Sequence, residues 1–354
     1  MWSCPLDGGS NMKRGLRQLQ SFGVMLFLGG IINIVFLAIH LHFQVQYNPF
    51  GEKPVSFRAA LSVLPLDFVF IAVGSVLSSS SYLDGLRRRG LGILDFKKLL
   101  AMMTLSGGSV YADAPSHKYC LRYYGKSLVL HNIFAKLLAY TYGVKASLFE
   151  ARNTYMAQVY NKKVVEDLFC LSPSYTTRQN HSRLQHNGGV AVIPSIGFLA
   201  NASRPLSEEA VRLVASDNGS LYYSVQPRGK QYFVRPRLGL GYTMPESLLR
   251  EYETLLRRIG IEMFPTYDRR FEKRGFLLTH SLNAVKAFAG LGGFIQGAKI
   301  CRGRFRDVDK NILLKSLLDL HNSEENSHNS VEAAHRKVSE LVSRYLQPYE
   351  PYHH

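Results

Sequence analysis

The chain has 354 residues, room for about two or three domains, and carries a formal net charge of +17. Such an excess draws a polyanion or an anionic membrane face and says nothing about fold, while 46% hydrophobic residues with 20 Tyr and 20 Phe exclude a chain disordered throughout. Cys4, Cys120, Cys170 and Cys301 form no C-x-x-C pair, which leaves a zinc or redox centre without sequence support and points to a reducing compartment.

No charged residue occurs between Arg17 and Glu52, and Val24 to Leu41 is nearly all apolar. A bilayer span takes roughly 20 such residues. A second apolar run, Ala59 to Leu77, is interrupted by Pro65 and Asp67. Lys13, Arg14 and Arg17 precede the first run and Arg87, Arg88 and Arg89 follow the second, so a hairpin would put both clusters on one side. One or two transmembrane helices are expected within 1–90, and the remainder would then lie in cytoplasm, matrix or stroma.

The next segment, 91–171, opens with helical spacing from Leu94 to Leu105 that stops at Gly107 and Gly108. Strands are expected at Ser109–Ala112 and His117–Tyr124, with Lys118, Cys120, Arg122 and Tyr124 alternating onto one face. An apolar stripe from Leu128 to Leu138 predicts a helix stopped by Gly143. Ala146–Glu150 and Thr154–Tyr160 read as a hairpin, and Lys162 and Lys163 open a short helix through Leu168.

After a polar stretch at 172–204, whose one strand-like run is Val190–Ile193, the same order returns in 205–320. Ser207 is placed to cap a helix from Glu208 to Asp217. Strands follow at Leu221–Gln226 and Gln231–Leu240, joined by the turn Pro227–Lys230. Thr243-Met244-Pro245-Glu246 reads as a capping box before a helix stopped by Gly260. Two strands around Met263–Tyr267 and Gly275–Thr279 flank a charged turn. Helices at Leu282–Phe288 and Asp309–Leu320 close the half, and 321–354 holds a polar run and an amphipathic helix, Val331–Leu346. A repeat of about 110 residues is too long for a solenoid unit and reads as a pseudo-dimer of two α+β halves.

The twofold order α-β-β-α-β-β-α, with glycine-ended first helices Leu100–Gly108 and Ala210–Gly219, resembles the LAGLIDADG homing-endonuclease family in its single-chain form. The resemblance covers roughly Leu94 to Leu320. It implies two pseudo-symmetric repeats forming a saddle of antiparallel strands, with the motif helices side by side through small residues such as Ala101, Ser106, Ala215 and Ser216. Each motif helix of the family ends in an acid that binds divalent metal at a scissile phosphate. Here Gly107 and Asn218 hold those places, with Asp217 adjacent, so Asp217 is the one candidate metal ligand. Asp217, Asn218 and Lys162, near the family's basic residue, are the candidate catalytic positions. A one-residue offset turns a helical side chain by about 100°, so Asp217 would serve only if the helix end were re-registered.

The saddle implied by the resemblance would meet nucleic acid through Lys118, Arg122, Arg152, Arg235, Arg237, Arg269, Arg270, Lys273 and Arg274, with interleaved Tyr and Phe. The family includes intron-encoded proteins fused to an upstream organellar exon, which the hydrophobic segment fits, in a mitochondrion ahead of a plastid. Relatives lacking the acids act as maturases on structured intron RNA. The expectation is a monomeric, maturase-like protein with degenerate cleavage chemistry. Its alternatives are an active Mg2+-dependent endonuclease on double-stranded DNA and a structural module of a membrane-bound assembly.

Overall fold

The computed structural model describes residues 82–151, 154–175, 192–267, 274–279, 281–323 and 325–346. The apolar runs at 24–41 and 59–77, most of the inter-repeat stretch, and Arg152, Arg269, Arg270 and Lys273 lie outside them. Among the described residues no helix is long and apolar enough to cross a membrane.

The first half begins with α1 (Ile93–Gly107), whose whole middle, Leu99 to Leu105, is buried. A helix buried on all sides must lie inside the molecule. Strands β1 (Gly108–Asp113) and β2 (Lys118–Gly125) follow, then α2 (Leu128–Tyr142). The Ser127 hydroxyl accepts from the Leu130 N–H at its start, and Gly143, at φ 67°, closes it in the left-handed conformation that glycine takes without a Cβ penalty. β3 (Ser147–Ala151), β4 (Thr154–Tyr160) and α3 (Lys162–Leu171), capped by Asn161, complete the half.

The second half repeats the order. α4 (Arg204–Asn218), β5 (Ser220–Arg228), β6 (Gln231–Pro245), α5 (Glu246–Arg258), β7 (Phe264–Tyr267), β8 (Arg274–Leu278) and α6 (Leu282–Gly290) follow in turn. Both halves build a four-stranded antiparallel sheet of one strand order, β1-β2-β4-β3 and β5-β6-β8-β7. α7 (Lys310–Asn322) and α8 (Val331–Leu346) come last. Between them, Tyr232 and His328 exchange backbone hydrogen bonds of 2.8 and 3.0 Å, and the Asn326 amide takes both the N–H and the carbonyl of Val234. The polar run before α8 is thereby docked onto β6.

Two expectations change. α4 starts four residues earlier than Ser207 would place it: Ser203 is the cap, Pro205 sits in the first turn, and Ser207 is buried inside the helix, donating to the Ser203 carbonyl. The stretch Thr243–Pro245 is strand rather than capping box, because β6 resumes pairing with β8 after an irregularity between Leu240 and Met244. Gly241 (φ 80°) and Thr243 (φ 52°) make that bend. Val192 and Ile193, the described part of the expected linker strand, pair with nothing among the described residues.

α1 and α4 lie alongside one another between the halves. Ala101 and Ala215 are fully buried, so backbone approaches backbone. Near the other end, the fully buried Glu209 carboxylate receives Tyr82 Oη at 2.7 Å, Arg89 Nη1 at 2.8 Å and Arg212 Nη1 at 2.9 Å. A buried charge so supplied with donors is tolerated where an unpaired one is not.

Candidate nucleic-acid interface

Period-two alternation decides what each sheet shows. In the first, the pairs Ser109↔Arg122, Tyr111↔Cys120, Cys120↔Tyr160 and Arg122↔Gln158 share a face. Tyr111, Tyr124 and Tyr160 are exposed on it, and Lys118 is exposed at its end. Leu121, Tyr123, Ala157 and Val159 point the other way, into the core. The hydroxyls of Tyr124 and Tyr160 hydrogen-bond Arg122 and hold its guanidinium proton more firmly than usual.

In the second sheet, Tyr222↔Arg237, Ser224↔Arg235 and Gln226↔Phe233 share the corresponding face, while Leu238 and Val234 are buried on the other. Arg237 Nε donates to Ser224 Oγ at 3.0 Å and Arg235 Nη1 to Gln226 Oε1 at 3.2 Å. Neutral partners orient both guanidinium groups and leave their charge uncancelled by those contacts. Arg274 donates to the Thr243 carbonyl at 3.5 Å, and burial lowers its proton affinity. Each half thus shows an arginine-and-tyrosine face of the kind the alternation predicts.

Where α1 and α4 end there is a cavity of about 590 Å³. Gly107, Asp217 and Asn218 line it together with Ser109, Lys126 and Arg302. A Cβ on Gly107 would lie 2.6 Å from Asp217 Oδ2 and 2.8 Å from the Tyr124 carbonyl oxygen. The carboxylate of the second half therefore stands against the space where the first half would place a side chain. Asn218 lines the cavity with its amide engaged: its Nδ2 donates to the Ser106 carbonyl across the helix pair.

Around the end of α4 are three residues that the sequence pattern did not single out. Tyr123 is fully buried, and its hydroxyl is raised well above the ordinary range by burial and then by the charge of Asp217. The His131 ring lies tilted against it, ring centroids 4.7 Å apart, and burial lowers its proton affinity. The third, Lys310, is 5% exposed and sits at the end of α4. Its Nζ donates to the carbonyls of Ser216 and Gly219 at 2.8 Å and of Ala215 at 3.3 Å. Burial pulls its ammonium down to about 8. No periodicity marks such a lysine; only tertiary packing brings it to the helix end.

Lys162 does not line the cavity. It pairs with Glu166 at 3.7 Å and lies 5.7 Å over the Tyr119 ring. Among the described residues, Asp217 is the single carboxylate lining the cavity. Among the described residues no group of three or more His, Cys, Asp or Glu is placed to hold a metal ion. These side chains do not fit a divalent metal held by two opposed acids, and no hydrolytic step follows from them.

No protein-family model matches the sequence, and no curated protein matches it. Among solved structures, the chain is similar to I-SmaMI bound to uncleaved DNA target in the presence of calcium ions, at 11% identity over 71% of this chain and 99% of that one, with a TM-score of 0.45. It is similar to the I-SmaMI LAGLIDADG homing endonuclease bound to cleaved DNA, at 11% identity over 70% and 95% of the two chains, with a TM-score of 0.44. I-DmoI in complex with DNA and Mn gives 11% identity over 56% and 97%, with a TM-score of 0.38. What the chain does is therefore read from its own residues.

Proposed function

We propose that the chain is a LAGLIDADG-type nucleic-acid-binding protein that acts as a maturase, holding structured intron RNA without cutting DNA. The observation that carries this reading is the end of the helix pair. Asp217 Oδ2 stands 2.6 Å from where a Gly107 Cβ would be, and Asn218 is turned into the contact between helices. An opposed pair of acids has no room there, while the arginine and tyrosine faces of both sheets keep the means to grip phosphate and stack on bases. An organellar setting accords with the net charge of +17 and the apolar N-terminal runs.

One observation favours a second reading, an active endonuclease: Asp217 does line the cavity. The test uses the purified chain with magnesium, a plasmid carrying the joined sequences that flank its reading frame, and the intron transcript. The expected result is intact plasmid together with salt-sensitive binding and faster splicing of the transcript. Cutting at the junction that Asp217→Asn abolishes would replace the maturase reading with the endonuclease.

A further inference from the structure

At the start of α1, Ile93 is 51% exposed and its neighbour Leu94 71%. A lone exposed leucine asks for no explanation, but these two belong to a patch. Ile93 shares a helix face with Phe96, three residues on, and the Phe96 ring meets Tyr140 of α2 edge-on at 5.3 Å. Tyr140 is itself exposed, and Arg87 lies over its ring at 4.0 Å. Lys98 follows Leu94 by one turn of α1, and Lys136 precedes Tyr140 by one turn of α2. Two aliphatic side chains and a phenol ring are thus surrounded by cations.

The charge around them is unbalanced. Residues 82–98 hold five basic side chains and two acidic ones. Arg89 is engaged by Glu208 and Glu209, and Lys97 by Asp167. Of the two acids, Asp95 accepts the Gly92 N–H at 2.9 Å. Asp84 stands among cations: it pairs with Arg87 at 3.6 Å, and Lys136 feels its charge. The patch is also where the described chain begins. A helical stretch at 82–88 buries Leu83 and Leu86, and Tyr82 Oη and Arg89 Nη1 fasten it to Glu209 at 2.7 and 2.8 Å. Four serines, Ser78 to Ser81, separate Tyr82 from the apolar run that ends at Leu77. α1 is 15 residues long, about 22 Å, and Gly107 at its other end lines the cavity.

We propose that this surface, Ile93, Leu94 and Tyr140 ringed by Arg87, Arg88 and Lys98, docks on an anionic lipid bilayer. The aliphatic side chains enter the boundary between acyl chains and headgroups, where a tyrosine ring is also favoured, and the cations meet lipid phosphates. An apolar run, a short polar spacer and then basic residues is the order expected where a chain leaves a bilayer. A second copy is a poorer occupant, because a twofold contact would set the same cations against each other. Docking at Leu94 leaves the cavity about 20 Å from the lipid, the length of the helix between them. The proposal is independent of what the sheet faces bind.

The experiment uses the full-length chain reconstituted into vesicles of phosphatidylcholine and phosphatidylglycerol whose brominated acyl chains quench tryptophan. Trp2 is the one native tryptophan, so W2F is the background. In it, L94W reports on the proposed surface, and Y160W on the exposed face of the first sheet. L94W is expected to lose most of its emission and Y160W to keep it. Each Lys or Arg held near an anionic surface strengthens attachment about fivefold, so R87Q/K98Q should lower the ratio of docked to undocked chain about 25-fold and restore the L94W emission. Raising the salt to about 1 M, where the Debye length is about 3 Å, should restore it as well, with the chain still sedimenting with the vesicles.

L94W that stays bright in a chain sedimenting with the vesicles would overturn the proposal and leave attachment to the apolar runs alone. Quenching of Y160W in place of L94W would assign the lipid to the sheet face and overturn it equally. Quenching of L94W that is the same in phosphatidylcholine alone and unmoved by R87Q/K98Q would show that the cations take no part, and the anionic surface would fall with them.

Discussion

Replacing Lys310 by methionine tests whether the end of the second motif helix depends on an internal cation. The side chains are similar in length, so the change removes the donors and little volume. The Ala215 carbonyl keeps the Gly219 N–H at 2.9 Å. The Ser216 and Gly219 carbonyls are deprived of donors at 2.8 Å. A buried acceptor left without its donor costs about 1–3 kcal/mol, so K310M should be destabilised by about 2–5 kcal/mol at pH 7, read from urea midpoints. The pH dependence gives a second, sharper signature. The Lys310 proton leaves at about 8 in the folded chain against an ordinary 10.5. Between those values the unfolded chain binds more protons, so stability rises with pH, by at most about 3 kcal/mol across the window. The buried Tyr123 and Tyr252 act in the opposite sense: burial raises both, so stability is lost above their ordinary 10.0. Lys136, also lowered by burial, acts in the same sense in both proteins, so Lys310 is read from their difference: between pH 7 and 9.5 the wild-type curve should climb more steeply than that of K310M. Equal midpoints and parallel curves would refute the clamp.

Gly107→Asp, which restores an acid by sequence, should lower stability by about 1–3 kcal/mol through overpacking, with further destabilisation from the adjacent Asp217 charge, and should yield no plasmid nicking. Glu209→Ala leaves Arg89 and Arg212 without the buried carboxylate that joins them, a destabilisation of about 3–5 kcal/mol by chemical denaturation. Asn326→Leu strips both partners from Val234 and should cost about 2–4 kcal/mol. In that variant the Val234 amide should lose hydrogen-exchange protection together with the polar run before α8.

Most of the element order is readable from the sequence because glycine and alternation report local physics. Gly143 and Gly260 stop helices at positive φ, as expected of a residue without Cβ. The paired strands alternate apolar and polar as a half-buried sheet must. The start of α4 is misread because Ser203 and Ser207 are both good caps, and the deciding signal is Pro205, which fits only the first turn of a helix. The strand at Thr243–Pro245 is hidden because its pairing resumes past an irregularity, a tertiary event that no local pattern encodes. In the candidate site, the helix-end positions Gly107, Asp217 and Asn218 can be located from the motif, but not which way each turns. Tyr123 and Lys310 matter because of what folds onto them. Arg302 does leave a trace, since an R-G-R-F-R run is visible in the sequence.

The asymmetry at the crossing of α1 and α4 has an evolutionary corollary. One half presents an absence of side chain at Gly107, and the other presents the carboxylate that occupies the adjoining space. Two first halves would set Ser106 against Gly107, with no carboxylate to occupy the open space. Two second halves would set Asp217 against Asn218, a side chain where the single chain offers glycine. The halves share a strand order but have become left and right hands of one grip. A symmetric homodimer made from either half would lose the fit that the single chain has acquired.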